Sequence, residues 1–399
     1  MRIPEIHIEQ YDYHLPDERI RKIPLSDRSA AQLVYEQNSE FSISTFKHLP
    51  DLLEPNDLLV MNNSRVIPAR VFFRKDTGAL IEIMCLAPYQ LTYVQAFEAR
   101  ASVNYTAYIG GAKKWKSGPL SQTIQLNDKS VEVKVERIGK EKDAHIVSFS
   151  WEGNYTFSEI IEHLGNIPLP PYFERLPSLE DKDRYQTVFA NQQGSVAAPT
   201  AGLHYDDEVL TKLAARGIAC QHVCLHVGAG TFKPVTSSTI AEHEMHEEYF
   251  EVTVETVKSL IACTGRIVAA GTTSLRTLES LYWLGVRCMN GQEPNEVTQW
   301  EPYQSNESIP THTALNALVS YGEKNNLEVI VAKSGICIVP GYVFRVCHGL
   351  QTNFHQPKST LILLVAAFIG QQWKEVYDYS LKNQLSFLSY GDTMLLWRK

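Results

Sequence analysis

The sequence predicts an α/β protein, a discontinuous α/β domain with a small all-β barrel domain inserted in it. Three observations carry that expectation. The first seventy residues have the texture of buried strands with intervening helices. The next eighty alternate, favour β-branched residues and are broken by turn signals. After Gly153 the α/β texture returns and runs to the C-terminus. The expected division is 1–70 with 152–399 for the α/β domain and 71–151 for the insert.

In chain order, Leu58, Leu59, Val60 and Met61 form a short apolar run after the turn signal at 54–57, as a buried strand would. In the insert, 81–86 and 131–135 alternate, with turns expected at 76–78, 110–111 and 117–119. That spacing fits a small barrel. Further on, Asp206 and Asp207 open a helix that Gly217 closes, and 218–227 reads as the strand after it. Ile267, Val268, Ala269 and Ala270 form a second buried strand. Beyond Gly271, Leu275, Leu278, Leu281 and Leu284 recur at a helical spacing. Another helix opens at 357–360, capped by Ser359 or Thr360, and ends at Gly370. The polar stretch 289–327 reads as a less regular elaboration between core elements.

The composition is that of an ordinary globular chain, with 44% hydrophobic and 21% charged residues. No stretch reaches the ~18 apolar residues that span a bilayer. The first ten residues lack the basic and apolar regions of a secretory signal. Seven scattered cysteines read as reduced thiols, so the expected compartment is the cytoplasm. The net charge is −8, yet residues 70–142 hold 12 Lys/Arg against 7 Asp/Glu, a balance of +5 that leaves −13 elsewhere. A basic segment inside an acidic chain is what a phosphate-contacting surface needs, and equally what a solvated Lys-rich β surface looks like.

Five loops rich in Gly, Thr, Ser and His stand at expected strand ends: 197–204 (AAPTAGLH), 226–232, 271–274, 352–358 and 389–392. Open α/β sheets place their ligands there, and glycines with helix starts offer backbone N–H groups. Singly each is a turn with a cap; together they predict a composite site. None is a nucleotide fingerprint, because Gly228 and Gly230 lack a third glycine and no Walker lysine pattern occurs. Cys220, His222, Cys224 and His226 alternate along one strand face, and His243 and His246 are three apart on an expected helix. Without a matching C-x-x-C pair or H-E-x-x-H, packing and hydrogen bonding are favoured over a metal site.

Read together, these segments resemble the S-adenosylmethionine:tRNA ribosyltransferase-isomerase family of queuosine biosynthesis. The resemblance covers essentially the whole chain. It includes Tyr11-Asp12-Tyr13, Asp57 to Arg65, Pro68-Ala69-Arg70, the IPLPPY run ending at Tyr172, the 197–204 loop, and TNFHQPKSTL at 352–361. Three features depart from the family pattern, one of them the length of the 289–327 elaboration. Ser386 precedes Phe387 where an arginine is usual, and Ser334-Gly335-Ile336 stands where Thr-x-Ile is expected. The resemblance implies a discontinuous α/β domain with an inserted β-barrel. It also implies transfer and isomerisation of the ribosyl group of S-adenosylmethionine onto the aminomethyl arm of a 7-deazaguanine at the tRNA wobble position. Epoxyqueuosine would result, with adenine and methionine released. No metal or redox cofactor is implied, the donor being a substrate, nor any membrane or stable protein partner.

That chemistry needs a base, an acid for departing adenine, and groups that hold the methionine part. The candidate catalytic residues are His204, His226, His355 and Asp392, histidine being suited to a near-neutral pKa. Candidate donor contacts are Thr200, Gly202, Gly228, Gly230, Thr231, Thr272, Thr273, Arg276, Asn353 and Lys358. Arg276 and Lys358 suit a carboxylate or phosphate, although Arg276 could simply pair with Glu279. For tRNA, Lys113, Lys114 and Lys116 around Trp115 suggest a hairpin tip whose ammonium groups meet phosphates while the indole stacks on a base. Two other functions fit the same residues: a methyltransferase using the same donor, and a non-catalytic RNA-binding protein.

Overall fold

Leu58–Asn62 is buried along its whole length, as a strand covered on both faces must be, and it stands inside a ten-stranded mixed sheet. The computed structural model describes residues 5–38, 40–228, 235, 237–304 and 309–399. Ala219–Leu225 and Ile267–Ala270 flank Leu58–Asn62 in parallel, Ala219 and Ile267 both lying opposite Leu58. Gly349–Asn353 continues the parallel run. Thr393–Trp397 joins it antiparallel, and Gln32–Gln37 runs parallel to Thr393–Trp397. Of these six strands, four end and two begin at one edge of the sheet.

The helices cap as their sequences suggest. The Asp206 carboxylate accepts the Val209 N–H to start Asp207–Ala215, and Gly217, at φ +74°, follows its end. Ser359 does the same for Thr360–Ile369 by accepting the Ile362 N–H. Helix Gly271–Met289 begins directly where Ile267–Ala270 stops, and Leu275, Leu278, Leu281 and Leu284 are all in the core.

The 289–327 stretch is more ordered than its polarity suggests. It holds a helix, Thr311–Lys324, that buries Ala314, Leu315, Leu318, Val319 and Gly322. A Cβ on Gly285 would sit 2.1 Å from the Ala314 carbonyl oxygen, so this helix touches Gly271–Met289 backbone to backbone, where only glycine fits. Small residues supply part of the contact face, which weakens the apolar period that would betray the helix. A second correction concerns His243 and His246. They lie on no helix, but in the irregular run between the 3-10 turn Ile240–Glu242 and the strand Glu248–Thr253.

Residues 70–151 form six antiparallel strands of a seven-stranded sheet, the seventh being Gly165–Asn166. Along Lys129–Glu141, Val131, Val133 and Val135 face the interior while Glu132, Lys134 and Glu136 are exposed. The sheet has its own core, to which helix Phe157–Leu164 adds Phe157, Ile160 and Ile161. Within it the 113–116 segment is not a hairpin tip. Ser102–Gly110 and Leu120–Leu126 are not sheet neighbours, so the segment crosses from one strand to another. No described helix is long and apolar enough to cross a membrane.

Candidate functional site

The sheet edge where four strands end and two begin carries a cleft, and all five polar loops reach it. Thr200, Thr272, Thr273, Asn353, His355 and Ser389 are among the residues lining it. Among the described residues no Lys, Arg, Asp or Glu side chain lines it. The loops meet closely. A Cβ on Gly271, at φ +90°, would come within 3.2 Å of the Ala201 Cβ, so glycine there allows the two chain turns to pack.

Behind this lining, polar groups hold one another. The Asn353 amide donates to the carbonyls of Leu388 and Ser389 at 2.9 and 3.0 Å, so its Oδ1 is left to accept from His204 Nε2 at 2.9 Å. That assigns the proton of neutral His204 to Nε2. Burial lowers the His204 pKa to about 4, against the Asn353 hydrogen bond, which favours the charged form. His204 itself is buried behind the cleft, not in its lining. His355 does line it. Its Nε2 lies 3.1 Å from Thr352 Oγ1, its N–H donates to Tyr377 Oη, and its carbonyl accepts from Tyr13 Oη. Burial pushes the His355 pKa down to about 3. Neither of these imidazoles has the near-neutral pKa expected from sequence, because both have lost their water.

Asp392 is buried and committed. One carboxylate oxygen accepts the Gln32 N–H at 2.8 Å and the other the Ser386 N–H at 2.7 Å, with Arg21 Nη1 at 3.4 Å. His226 is buried against Tyr93, ring centroids 4.3 Å apart, and so joins the large sheet to the 70–151 unit. Arg276 pairs with Glu248, Nη1 to Oε2 at 2.6 Å, and not with Glu279. The Glu279 carboxylate instead accepts N–H groups from Arg345, Val346 and Cys347. Gly228 donates its N–H to Glu248, and Gly202 is buried under Thr187 and Phe189. Lys358, at φ +53°, pairs with Glu9 and Asp12 at 2.9 and 3.1 Å. Gly230 and Thr231 lie outside the described residues. Among those described, no cluster of His, Cys, Asp and Glu is arranged to hold a metal ion.

A family model described as queuosine biosynthesis protein matches residues 8–396 of the chain. The chain belongs to that family. A relative named S-adenosylmethionine:tRNA ribosyltransferase-isomerase, from Azoarcus sp. (strain BH72), is 37% identical over 98% of each chain. One of the same name from Legionella pneumophila (strain Paris) is 37% identical, covering 97% of this chain and 99% of its own. A solved S-adenosylmethionine tRNA ribosyltransferase from Thermotoga maritima is 26% identical, with a TM-score of 0.46, over 97% of this chain and 99% of that one.

At Ser386, where the resemblance expects an arginine, a guanidinium arrives from elsewhere in the chain. Arg21 Nη2 donates to Ser386 Oγ at 2.9 Å, and Nη1 donates to the Tyr390 carbonyl. Several lining residues escaped the sequence reading as site residues, among them Tyr172, Thr352 and Ser389. The Tyr172 hydroxyl shares a hydrogen bond with Ser389 Oγ, and burial pushes its pKa up to about 12. Its place at the end of the proline-rich IPLPPY run was the available signal. Around Trp115 the structure overturns the expected stacking. The indole is 1% exposed, its Nε1 donates to the Gly118 carbonyl and the Arg137 guanidinium lies over its ring, whereas Lys113, Lys114 and Lys116 are exposed.

Proposed function

We propose that this enzyme transfers and isomerises the ribosyl moiety of S-adenosylmethionine onto the aminomethyl group of 7-aminomethyl-7-deazaguanine at the tRNA wobble position. Epoxyqueuosine forms in the RNA, and adenine and methionine leave. The observation that carries the reading is the convergence of five separate polar loops on one cleft, in a chain of this family. The sulfonium of the donor acidifies the hydrogens on the adjacent 5′ carbon. Removing one starts ring opening, adenine departs, and the RNA amine attacks.

In this reading His355 is the group in the cleft that takes the proton. Burial keeps it unprotonated before the donor arrives, and also makes it a weaker base than a solvated imidazole. His204 acts through Asn353 as a positioning residue, and Asp392 and His226 hold the walls. Thr200, Thr272, Thr273 and Asn353 hold the donor, with Gly202 and Gly228 shaping the backbone around it. The donor is consumed as a substrate, with no metal or redox cofactor. The 71–151 unit is an inserted β-barrel domain within an α/β domain of 1–70 and 152–399. In support, Arg70–Arg74 and Leu120–Leu126, far apart in the sheet order, approach each other as in a sheet curling on itself. Its exposed Lys113, Lys114 and Lys116 contact tRNA phosphates, and the reaction runs in the cytoplasm.

The test is incubation of chelator-treated protein with the donor and precursor-bearing tRNA, followed by nucleoside and small-molecule analysis. Epoxyqueuosine with equimolar adenine and methionine is expected. S-adenosylhomocysteine as product, or an absolute metal requirement, would overturn the assignment.

A further inference from the structure

One buried cation near the cleft has a hydrogen-bonding edge that no described residue uses. Arg276 lies on the second turn of helix Gly271–Met289 and is 6% exposed. Its Nη1 donates to Glu248 Oε2 at 2.6 Å and its Nε to the Ile336 carbonyl at 3.3 Å. Its Nη2 is buried without a partner among the described residues. Leaving a buried charged donor unsatisfied is costly, and such groups are uncommon unless something else binds them. Glu248 is held by the Gly228 N–H and by His246 Nε2 at 3.2 Å as well as by Arg276, so the guanidinium is fixed in place.

Arg276 lines a small pocket together with Met245, His246, Ile338, Thr360 and Leu361. Thr360 and Leu361 are the first two residues of helix Thr360–Ile369, whose Ser359 cap takes only the Ile362 N–H. A helix start carries free N–H groups and the positive end of the dipole. The pocket adjoins the cleft, because Leu361 lines both, and Thr272 and Thr273 in the cleft lie one turn before Arg276 on the same helix. An anionic group on a ligand seated in the cleft would meet the guanidinium edge and the helix start together.

We infer that this pocket between the Gly271–Met289 and Thr360–Ile369 helices, with Leu361 as its partition from the cleft, takes the α-carboxylate of the donor's methionine part. The inference rests on the reading of the cleft as the donor site. It assigns the donor's orientation: methionine toward Arg276 and the start of helix Thr360–Ile369, ribose and adenine toward the Asn353 and His355 side. An arginine suits a planar carboxylate better than a lysine would, because its free edge offers directed donors.

The test is equilibrium binding of two donors to the full-length protein, S-adenosylmethionine and its decarboxylated counterpart, which keeps sulfonium, ribose and adenine. The wild type should prefer the carboxylated donor by about ten-fold to a hundred-fold. In Arg276→Gln that preference should collapse to within about three-fold, with affinity for the decarboxylated donor nearly unchanged. Because Arg276→Gln leaves Glu248 unpaired in the interior, the double variant Arg276→Met/Glu248→Gln is measured beside it, with folding of both checked by thermal melting. A preference that survives in a folded variant would overturn the subsite alone. Wild-type protein that binds neither donor would overturn the reading of the cleft, and the subsite with it.

Discussion

The cleft edge of the large sheet and the 70–151 unit place their polar residues in opposite ways. In the antiparallel unit, alternation sends Lys and Glu outward, and Trp115, in the connection after a 3-10 turn, packs inside, so polarity reports exposure directly. At the cleft, His204, Asp392, Asn353 and Thr352 are buried, and most of their hydrogen-bonding groups are taken by one another and by backbone. Buried polar groups need partners. A polar loop at a sheet edge is therefore mostly scaffold, and a minority of its residues is left to face a ligand.

The sharpest way to break that division is to compare His355 in the lining with His204 behind it. His355→Ala and His355→Gln should both lower kcat by about 10²–10⁴-fold with donor KM little changed. His204→Ala should also be severely impaired, but His204→Gln, whose amide can donate to Asn353 Oδ1, should recover most of the activity. Equal loss in both glutamine variants would place His204 among the reacting groups and erase the distinction.

In the basic unit the prediction separates Trp115 from its lysines. Trp115→Ala should destabilise the protein by about 3–5 kcal/mol in urea denaturation, while tRNA affinity of the folded protein stays within about two-fold. Replacing Lys113, Lys114 and Lys116 with alanine should do the reverse. Stability holds, and the log–log salt dependence of tRNA binding flattens by about 0.7–0.9 per lost phosphate contact. A salt slope unchanged in the triple variant would remove the segment from the interface.

What was legible in the sequence follows the same line. Strands such as Leu58–Asn62, the caps Asp206 and Ser359, and the meeting of the five loops could be read from local pattern, because burial, capping and strand ends leave local marks. Which loop residues face the cleft could not, since His204 and His355 look alike until Asn353 is seen to claim one of them. The Arg276 partner was misplaced for the same reason. Glu279 is near in sequence, but Glu248 is near in space. The helix Thr311–Lys324 was hidden by contacts made through glycine and alanine.

A further expected effect is on acid stability. Burial lowers His204 to about 4 and His355 to about 3, while histidines of the unfolded chain titrate near 6.5. Above pH 6.5 both states are neutral and this contribution is complete. As pH falls from 6.5 toward 4 the unfolded chain takes up protons that the folded chain refuses. Stability then drops by up to about 1.4 kcal/mol per pH unit for each histidine. Denaturant titrations across that window should show a shallower decline in His355→Gln than in the wild type; identical slopes would mean that His355 is not held neutral by burial.

In the proposed reading, donor and tRNA phosphates meet different regions, the donor at the sheet edge and the phosphates at 113–116, with the wobble base alone reaching the donor. Hydrogen–deuterium exchange of the full-length protein with each substrate alone tests this division most directly. S-adenosylmethionine should slow exchange at 197–201, 271–273 and 352–356 and leave 110–120 unchanged, whereas tRNA alone should slow exchange at 110–120. Donor-dependent protection that spares all three cleft segments would contradict the assignment of the site.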